Sequence, residues 1–228
     1  MKSIQGVLIT FSGLDGAGKS TQIALLTDYL VKGGRKPVYV WTRGGYTTLL
    51  EGLKTLSRRL FSGRLPPSGS SPQRSEAFSK RWVRRLWLSL ALLDLLWVYG
   101  IHIRWHRYRG RLVLCDRYLW DTAIDFRLNF PQEQLDHYWL WRLLGRVSPR
   151  PDASFLMLLT VEESVRRSAM KGERFPDPPE VLRQRLACYQ DLIPRVPFHV
   201  LDGSQPIPTL SNQILTDLAQ VHPDQRAV

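Results

Sequence analysis

One octapeptide constrains this chain more than any other part of it. Residues 13–20 read Gly-Leu-Asp-Gly-Ala-Gly-Lys-Ser, which satisfies the spacing G-x-x-x-x-G-K-[ST] throughout. Glycines there let backbone N–H groups turn inward around phosphate oxygens. The lysine ammonium reaches the outer phosphates, and the serine hydroxyl is placed to ligate Mg2+. The flanks agree with this. Residues 7–11 form a short apolar run of the kind that becomes a buried strand. Residues 19–32 carry Ile23, Leu26 and Leu30 on one helical face. A helix starting at Lys19 also aims the positive end of its dipole at a bound anion. A chance glycine turn has no reason to have both flanks. The chain is expected to bind Mg-ATP through Gly13, Asp15, Gly16, Ala17, Gly18, Lys19, Ser20 and Thr21.

Strand-like and helical segments alternate along the rest of the chain. Further strands are expected at residues 38–41, 111–115, 153–160 and 198–201. Helices are expected at 47–61, about 80–108, 121–147 with a break at Pro131, 161–169, 180–193 and 209–220. Gly33-Gly34 and Pro37 close the first helix. Strands joined by helical crossovers imply a parallel sheet covered on both faces. The fold class is therefore α/β, a three-layer, doubly wound, five-stranded parallel sheet of the P-loop NTPase type. The 228 residues suit one domain spanning 1–228. Residues 62–79, rich in Ser, Pro and Gly, are expected to form a flexible surface loop. In such sheets ligands bind beyond the carboxyl ends of the strands.

Charge and composition narrow the partners. Lys and Arg number 32 against 20 Asp and Glu, a net charge of +12, which calls for an anionic partner. The basic residues gather at 80–85, 104–111 and 166–174. Nucleotide phosphates account for the last group; no nucleic acid is expected, and membrane contact is not. The run 86–103 is apolar but interrupted by Ser89, Asp94, Gly100 and His102, so it reads as a buried helix rather than a membrane span. No signal peptide is visible. Cys115 and Cys188 are too few for a disulfide framework and read as core thiols, which points to the cytoplasm.

Three further groups carry chemistry. Asp116 ends the apolar run 112–115, where the acid of a phosphate-loop enzyme holds Mg2+ directly or through water, and Arg117 can face the same crevice. Arg166, Arg167, Lys171 and Arg174 crowd a loop with Gly172, Pro176, Pro178 and Pro179. A basic lid at 166–180 that closes over ATP would neutralise charge on the transferred phosphoryl group; the plain alternative is a solvated basic surface. Arg43 precedes Gly44-Gly45 after the second strand and can bind a phosphate bidentately.

Together these residues resemble the thymidylate kinase family of nucleoside monophosphate kinases. Residues 9–22 are very like that family's opening, Asp116-Arg117-Tyr118 matches its D-R-Y/H signature, and Lys171-Gly172-Glu173 stands for R-G-E in its lid. Residues 201–206, Leu-Asp-Gly-Ser-Gln-Pro, resemble its adenine-side strand and turn, usually D-A-S/G-Q-P. The resemblance implies that Gln205 and Pro206 lie on the ATP side, that Ser20 and Asp116 serve Mg2+, and that Arg117, with Asp15, Arg43 and Tyr118, meets the acceptor. Lys19, Arg117, Arg167, Lys171 and Arg174 are the implied catalytic set. Ala17 stands where some members carry Arg, and members without that Arg place the basic group in the lid. The family's third helix is also implied as a homodimer face.

The departures bear on the acceptor. Arg43 runs directly into Gly44-Gly45 without the family's Glu-Pro. Aligned through Asp94, the positions of the thymine-stacking aromatic and its Arg read Ala91 and Leu95, and a Tyr-Gln pair reads Asp125-Phe126. The expected function is transfer of the γ-phosphoryl of Mg-ATP to a nucleoside monophosphate, dTMP by family default. The alternatives are a phosphate-loop kinase for another nucleotide or a sugar, and a non-catalytic nucleotide-binding protein at a membrane surface.

Overall fold

The computed structural model describes residues 6–42, 78–172 and 177–221. Arg43, the helix expected at 47–61, residues 62–77 of the expected loop, and Arg174 lie outside the described residues. The first strand, β1 (Leu8–Gly13), runs into the glycine loop and then α1 (Lys19–Lys32), followed by β2 (Val38–Trp41). A long helix comes next, built of α2 (Arg81–Leu95), a π-helical stretch (Leu96–Ile103) and α3 (Arg104–Tyr108). Then follow β3 (Val113–Asp116), α4 (Leu119–Asn129), a short 3-10 turn (Leu135–His137) and α5 (Trp139–Val147). The chain closes with β4 (Ala153–Leu158), α6 (Val161–Met170), α7 (Pro179–Leu192), β5 (His199–Asp202) and α8 (Ile207–Val221).

The five strands form one sheet in the order β2-β3-β1-β4-β5, and every neighbouring pair is parallel. Because side chains alternate along a strand, β1 feeds both faces. Ile9 and Phe11 pack in the layer with Ile23 and Leu26 of α1 and Leu210 and Ile214 of α8. Leu8 packs instead with Val113 of β3 and with Leu88, Leu92, Leu95 and Tyr99 of the long helix. Gly13 ends β1 with φ at 137°, and a Cβ there would lie 2.2 Å from the Met157 carbonyl oxygen of β4. Only glycine lets the chain turn at that point while touching the next strand.

The alternation expected from the sequence is present, with shifted boundaries. β4 stops at Leu158 because Thr160 serves as N-cap of α6, its hydroxyl accepting from Glu163 N at 3.3 Å. The helix expected at 80–108 is one continuous helix, yet its centre is π-helical. Gly100 sits in that stretch, where a Cβ would come within 3.1 Å of the Val147 side chain of α5. The expectation of a buried helix needs correction. Its inner face, Leu88, Leu92, Leu95, Tyr99 and Ile103, is fully buried, but Trp82, Leu86, Leu90, Leu93, Trp97 and Ile101 are exposed on the outside. The sequence pattern hid this two-sidedness because both faces are apolar. The helix is long and apolar enough to cross a bilayer. In this fold, however, its inner face is core and carries the buried Asp94.

Candidate active site

The sheet register assembles the site. Phe11 lies opposite Asp116 in the β1–β3 pair, and Trp41 lies opposite Asp116 in the β2–β3 pair. The loop that leaves β1 and the acid that ends β3 thus emerge side by side. They line a cleft with Lys19, Ser20, Trp41, Arg117 and Lys171. Gly18, with φ at 94°, is the N-cap of α1, and no side chain caps that helix. Its first-turn N–H groups are therefore left open, a geometry suited to an anion.

Lys19 is buried, and its ammonium donates to the carbonyl oxygens of Gly13 at 3.0 Å and Leu14 at 2.8 Å. Burial, then the nearby Arg117 cation, pulls its pKa from 10.5 down to about 8. Ser20 Oγ donates to Asp116 Oδ2 at 3.2 Å, and Tyr39 OH donates to the same oxygen at 3.3 Å. Burial, then the Asp116 charge, pushes the Tyr39 phenol up to about 12, so it remains a neutral donor. The other carboxylate oxygen, Asp116 Oδ1, is buried without a hydrogen-bond partner among the described residues. An orphaned anionic oxygen beside a serine hydroxyl fits Mg2+, which takes one or two protein ligands and fills the rest with phosphate and water. Among the described residues no three His, Cys, Asp or Glu side chains converge on a metal position.

Arg117 has φ at 71°, and it is the one non-glycine residue with positive φ among the described residues. Its guanidinium is ion-paired through Nη2 with Asp15 Oδ1, and Nη1 lies 3.9 Å from Asp121 Oδ1. Asp121 is the hub that sequence reasoning missed. It is buried, accepts from Ser12 Oγ and Tyr189 OH at 2.6 Å each, and accepts from the Tyr118 N–H at 3.0 Å. The available signal was its position four residues after Arg117 at the start of a helix. Tyr39 and Trp41 were missed as well, although alternation along β2 places both on one face.

Several expected site residues lie beside the cleft rather than in it. Arg167 donates through Nη1 to Gly203 O at 2.9 Å and to Gly16 O at 3.4 Å, and through Nε to Glu163 at 2.6 Å. It clamps the glycine loop to the turn after β5 that holds Gln205 and Pro206. That turn needs Gly203, where a Cβ would lie 2.8 Å from Leu158 O and 3.1 Å from Ala17 O. Ala17 packs in the core and Thr21 is exposed on α1. Tyr118 does not reach the cleft as an acceptor contact. Its ring lies against Tyr99 at 4.5 Å and its hydroxyl donates to Pro149 O at 2.9 Å, so it anchors the start of α4 in the core.

A glycine loop opening a helix, its lysine, a serine paired with a strand-end aspartate, and an arginine aimed at the same cleft define a phosphate-loop phosphotransferase. Comparison with known proteins narrows the class. Residues 101–214 match the sequence model of the family described as thymidylate kinase. A thymidylate kinase of Desulfotalea psychrophila is 32% identical over 181 residues, covering 78% of this chain and 76% of the relative. One from an Exiguobacterium species is 27% identical over 93% of both chains, and one from Bartonella henselae is 24% identical over 97% of this chain and 99% of the relative. The chain belongs to the thymidylate kinase family.

The depressed lysine has a consequence in pH. The ammonium is the form of Lys19 able to meet a phosphate. kcat/KM for ATP, which reports the free enzyme, should therefore fall as pH rises through about 8. kcat at saturating ATP should hold to higher pH, because bound triphosphate favours the ammonium form. A kcat/KM profile still flat near pH 10, about the ordinary lysine range, contradicts this account of Lys19.

Proposed function

We propose that this protein transfers the γ-phosphoryl group of Mg-ATP to the phosphate of a nucleoside monophosphate, dTMP being the acceptor that its relatives' names supply. The observation that carries this is the Ser20–Asp116 contact, with Lys19 and Arg117 on the same cleft wall. In this scheme the loop amides and Lys19 bind the ATP phosphates, and Ser20 and Asp116 hold Mg2+. Mg2+ held by these two residues would supply charge neutralisation at the phosphates. Gly13, Gly16, Gly18, Gln205 and Pro206 frame ATP. Asp15 and Arg117, with Arg43, hold the acceptor phosphate. Lys171 reaches the cleft from the lid segment and meets charge on the transferred group, with Arg167 bracing the ATP side and Arg174 acting alongside. Action in the cytoplasm belongs to the same proposal, and the two unpaired thiols suit a reducing compartment.

Acceptor choice is the finer part of the proposal. At the positions where the resemblance calls for thymine contacts, Ala91 and Leu95 are fully buried among apolar neighbours. Phe126 packs edge-on against Trp87 at 6.1 Å, and Asp125 is held by Arg185 at 2.5 Å. None of these four offers the paired hydrogen bond that would select thymine. An apolar pocket discriminates by only about 1–3 kcal/mol per group. dTMP is therefore expected to share the site with other acceptors. Coupled ADP release with dTMP, dUMP, dCMP, UMP, CMP and several sugars, with acceptor-free ATPase subtracted, tests both levels. Turnover of several acceptors supports the proposal. Efficient use of dTMP alone refutes the relaxed specificity, and no acceptor above background refutes the kinase.

Lys171 is expected to act as charge develops. Lys171→Ala should lower kcat by about tenfold or more while KM for ATP stays within about threefold. A change confined to KM would make it a passive clamp.

The exposed face of the long helix is assigned to a homodimer. Trp82, Leu86, Leu90, Leu93, Trp97 and Ile101 recur every three or four residues on its outer side, a self-complementary strip suited to two-fold pairing. Light scattering on a gel-filtration column should give twice the 26.4 kDa chain mass for the wild type and the single mass for Leu93→Glu. A monomeric wild type removes the assignment.

A further inference from the structure

The least relaxed point of the site is the backbone of Arg117. A positive φ is uncommon for any non-glycine residue and costs free energy unless the surroundings hold it. Here it serves geometry, because the turn carries the guanidinium off the end of β3 and onto Asp15. The peptide is held at both ends. Its N–H donates to Phe11 O at 2.9 Å. Its carbonyl accepts from Thr42 Oγ1 at 2.9 Å. Thr42 is itself fixed, with its N–H donating to Asp116 O at 3.1 Å and its Oγ1 accepting from Tyr99 OH at 2.9 Å. The Tyr99 hydroxyl also lies 3.1 Å from Thr122 Oγ1 of α4. A relay of hydroxyls thus runs from the long helix through the end of β2 to the carbonyl of Arg117.

Each member of the relay is placed by a different layer. Tyr99 comes from the π-helical stretch and is 0% exposed, while Thr42 and Thr122 are 1% exposed. Burial raises the Tyr99 phenol well above its ordinary pKa, so the group stays a neutral O–H able to donate. No water competes at such depth, and one hydroxyl removed leaves the next without its partner. π-helical stretches inside α-helices frequently mark functional sites; here the stretch includes the residue whose hydroxyl meets Thr42.

We propose that Tyr99 and Thr42 are positioning residues for phosphoryl transfer: their hydroxyl relay locks the Arg117 peptide in its positive-φ turn and so aims the guanidinium at the acceptor. The inference rests on the kinase reading for its consequence in catalysis, but not for its structural half. Neither residue touches the phosphates in this scheme, and neither is signalled by a motif.

The test uses Tyr99→Phe, Thr42→Val and Thr42→Ser in the full chain. The first two keep the shape of the core, and the serine variant keeps the hydroxyl while losing only a methyl group. With the best acceptor from the panel, Tyr99→Phe and Thr42→Val should each lower kcat/KM for the acceptor by about tenfold, the scale of one buried hydrogen bond. KM for ATP should stay within about twofold. Thr42→Ser should recover most of the loss. The double variant Tyr99→Phe/Thr42→Val should be little worse than either alone, because both cut one relay. Equal losses for both substrates, no rescue by serine, or multiplying losses would make the two residues ordinary core and overturn the proposal. A crystal structure of Thr42→Val gives a reading independent of activity. Relaxation of Arg117 to negative φ supports the relay, and an unchanged positive φ overturns it, even if no acceptor is ever phosphorylated.

Discussion

The parallel pairing of β1 with β3 is the constraint on which the rest of the structure depends. It sets Phe11 beside Asp116, so the glycine loop leaving one strand and the acid ending the other share a few ångströms of space. The Ser20–Asp116 contact, the Arg117–Phe11 backbone bond and the Arg117–Asp15 ion pair all follow from that register. A slip of one residue would turn Asp116 to the opposite face of the sheet, away from Ser20 and the loop.

The electrostatics follow from the same packing. Two cations, Lys19 and Arg117, are brought together in a buried site, and each is compensated differently. Lys19 leans on two loop carbonyls, a weak substitute for phosphate, and loses proton affinity. Arg117 has true counter-ions in Asp15 and Asp121. Lys19 therefore has most to gain from an arriving anion, while Arg117 is already fixed in place by its carboxylates.

The parts of the fold legible in the sequence are those set by local pattern. The glycine loop, the apolar run ending in Asp116-Arg117, and the alternation of strand and helix all rest on neighbours in the chain. What was not legible rests on partners far apart. Asp121 means little until Ser12 and Tyr189 meet it, and Thr42 and Tyr99 meet only because the sheet brings β2 beside β3 and the long helix packs over them. Tyr118 misled for a related reason: a motif gives its position, and the core gives its orientation. The exposed side of the long helix was hidden because leucine and tryptophan on a helix look alike whether they face core or solvent.

Direct transfer of a phosphoryl group between two bound phosphates is the activity proposed for this protein. Phosphorus NMR of wild-type protein with ATP, Mg2+ and the acceptor panel observes it without coupling enzymes. The β- and α-phosphate resonances of a new nucleoside diphosphate should grow one for one with those of ADP. ATP that is merely hydrolysed to ADP and free phosphate, or left intact with every acceptor, would contradict it.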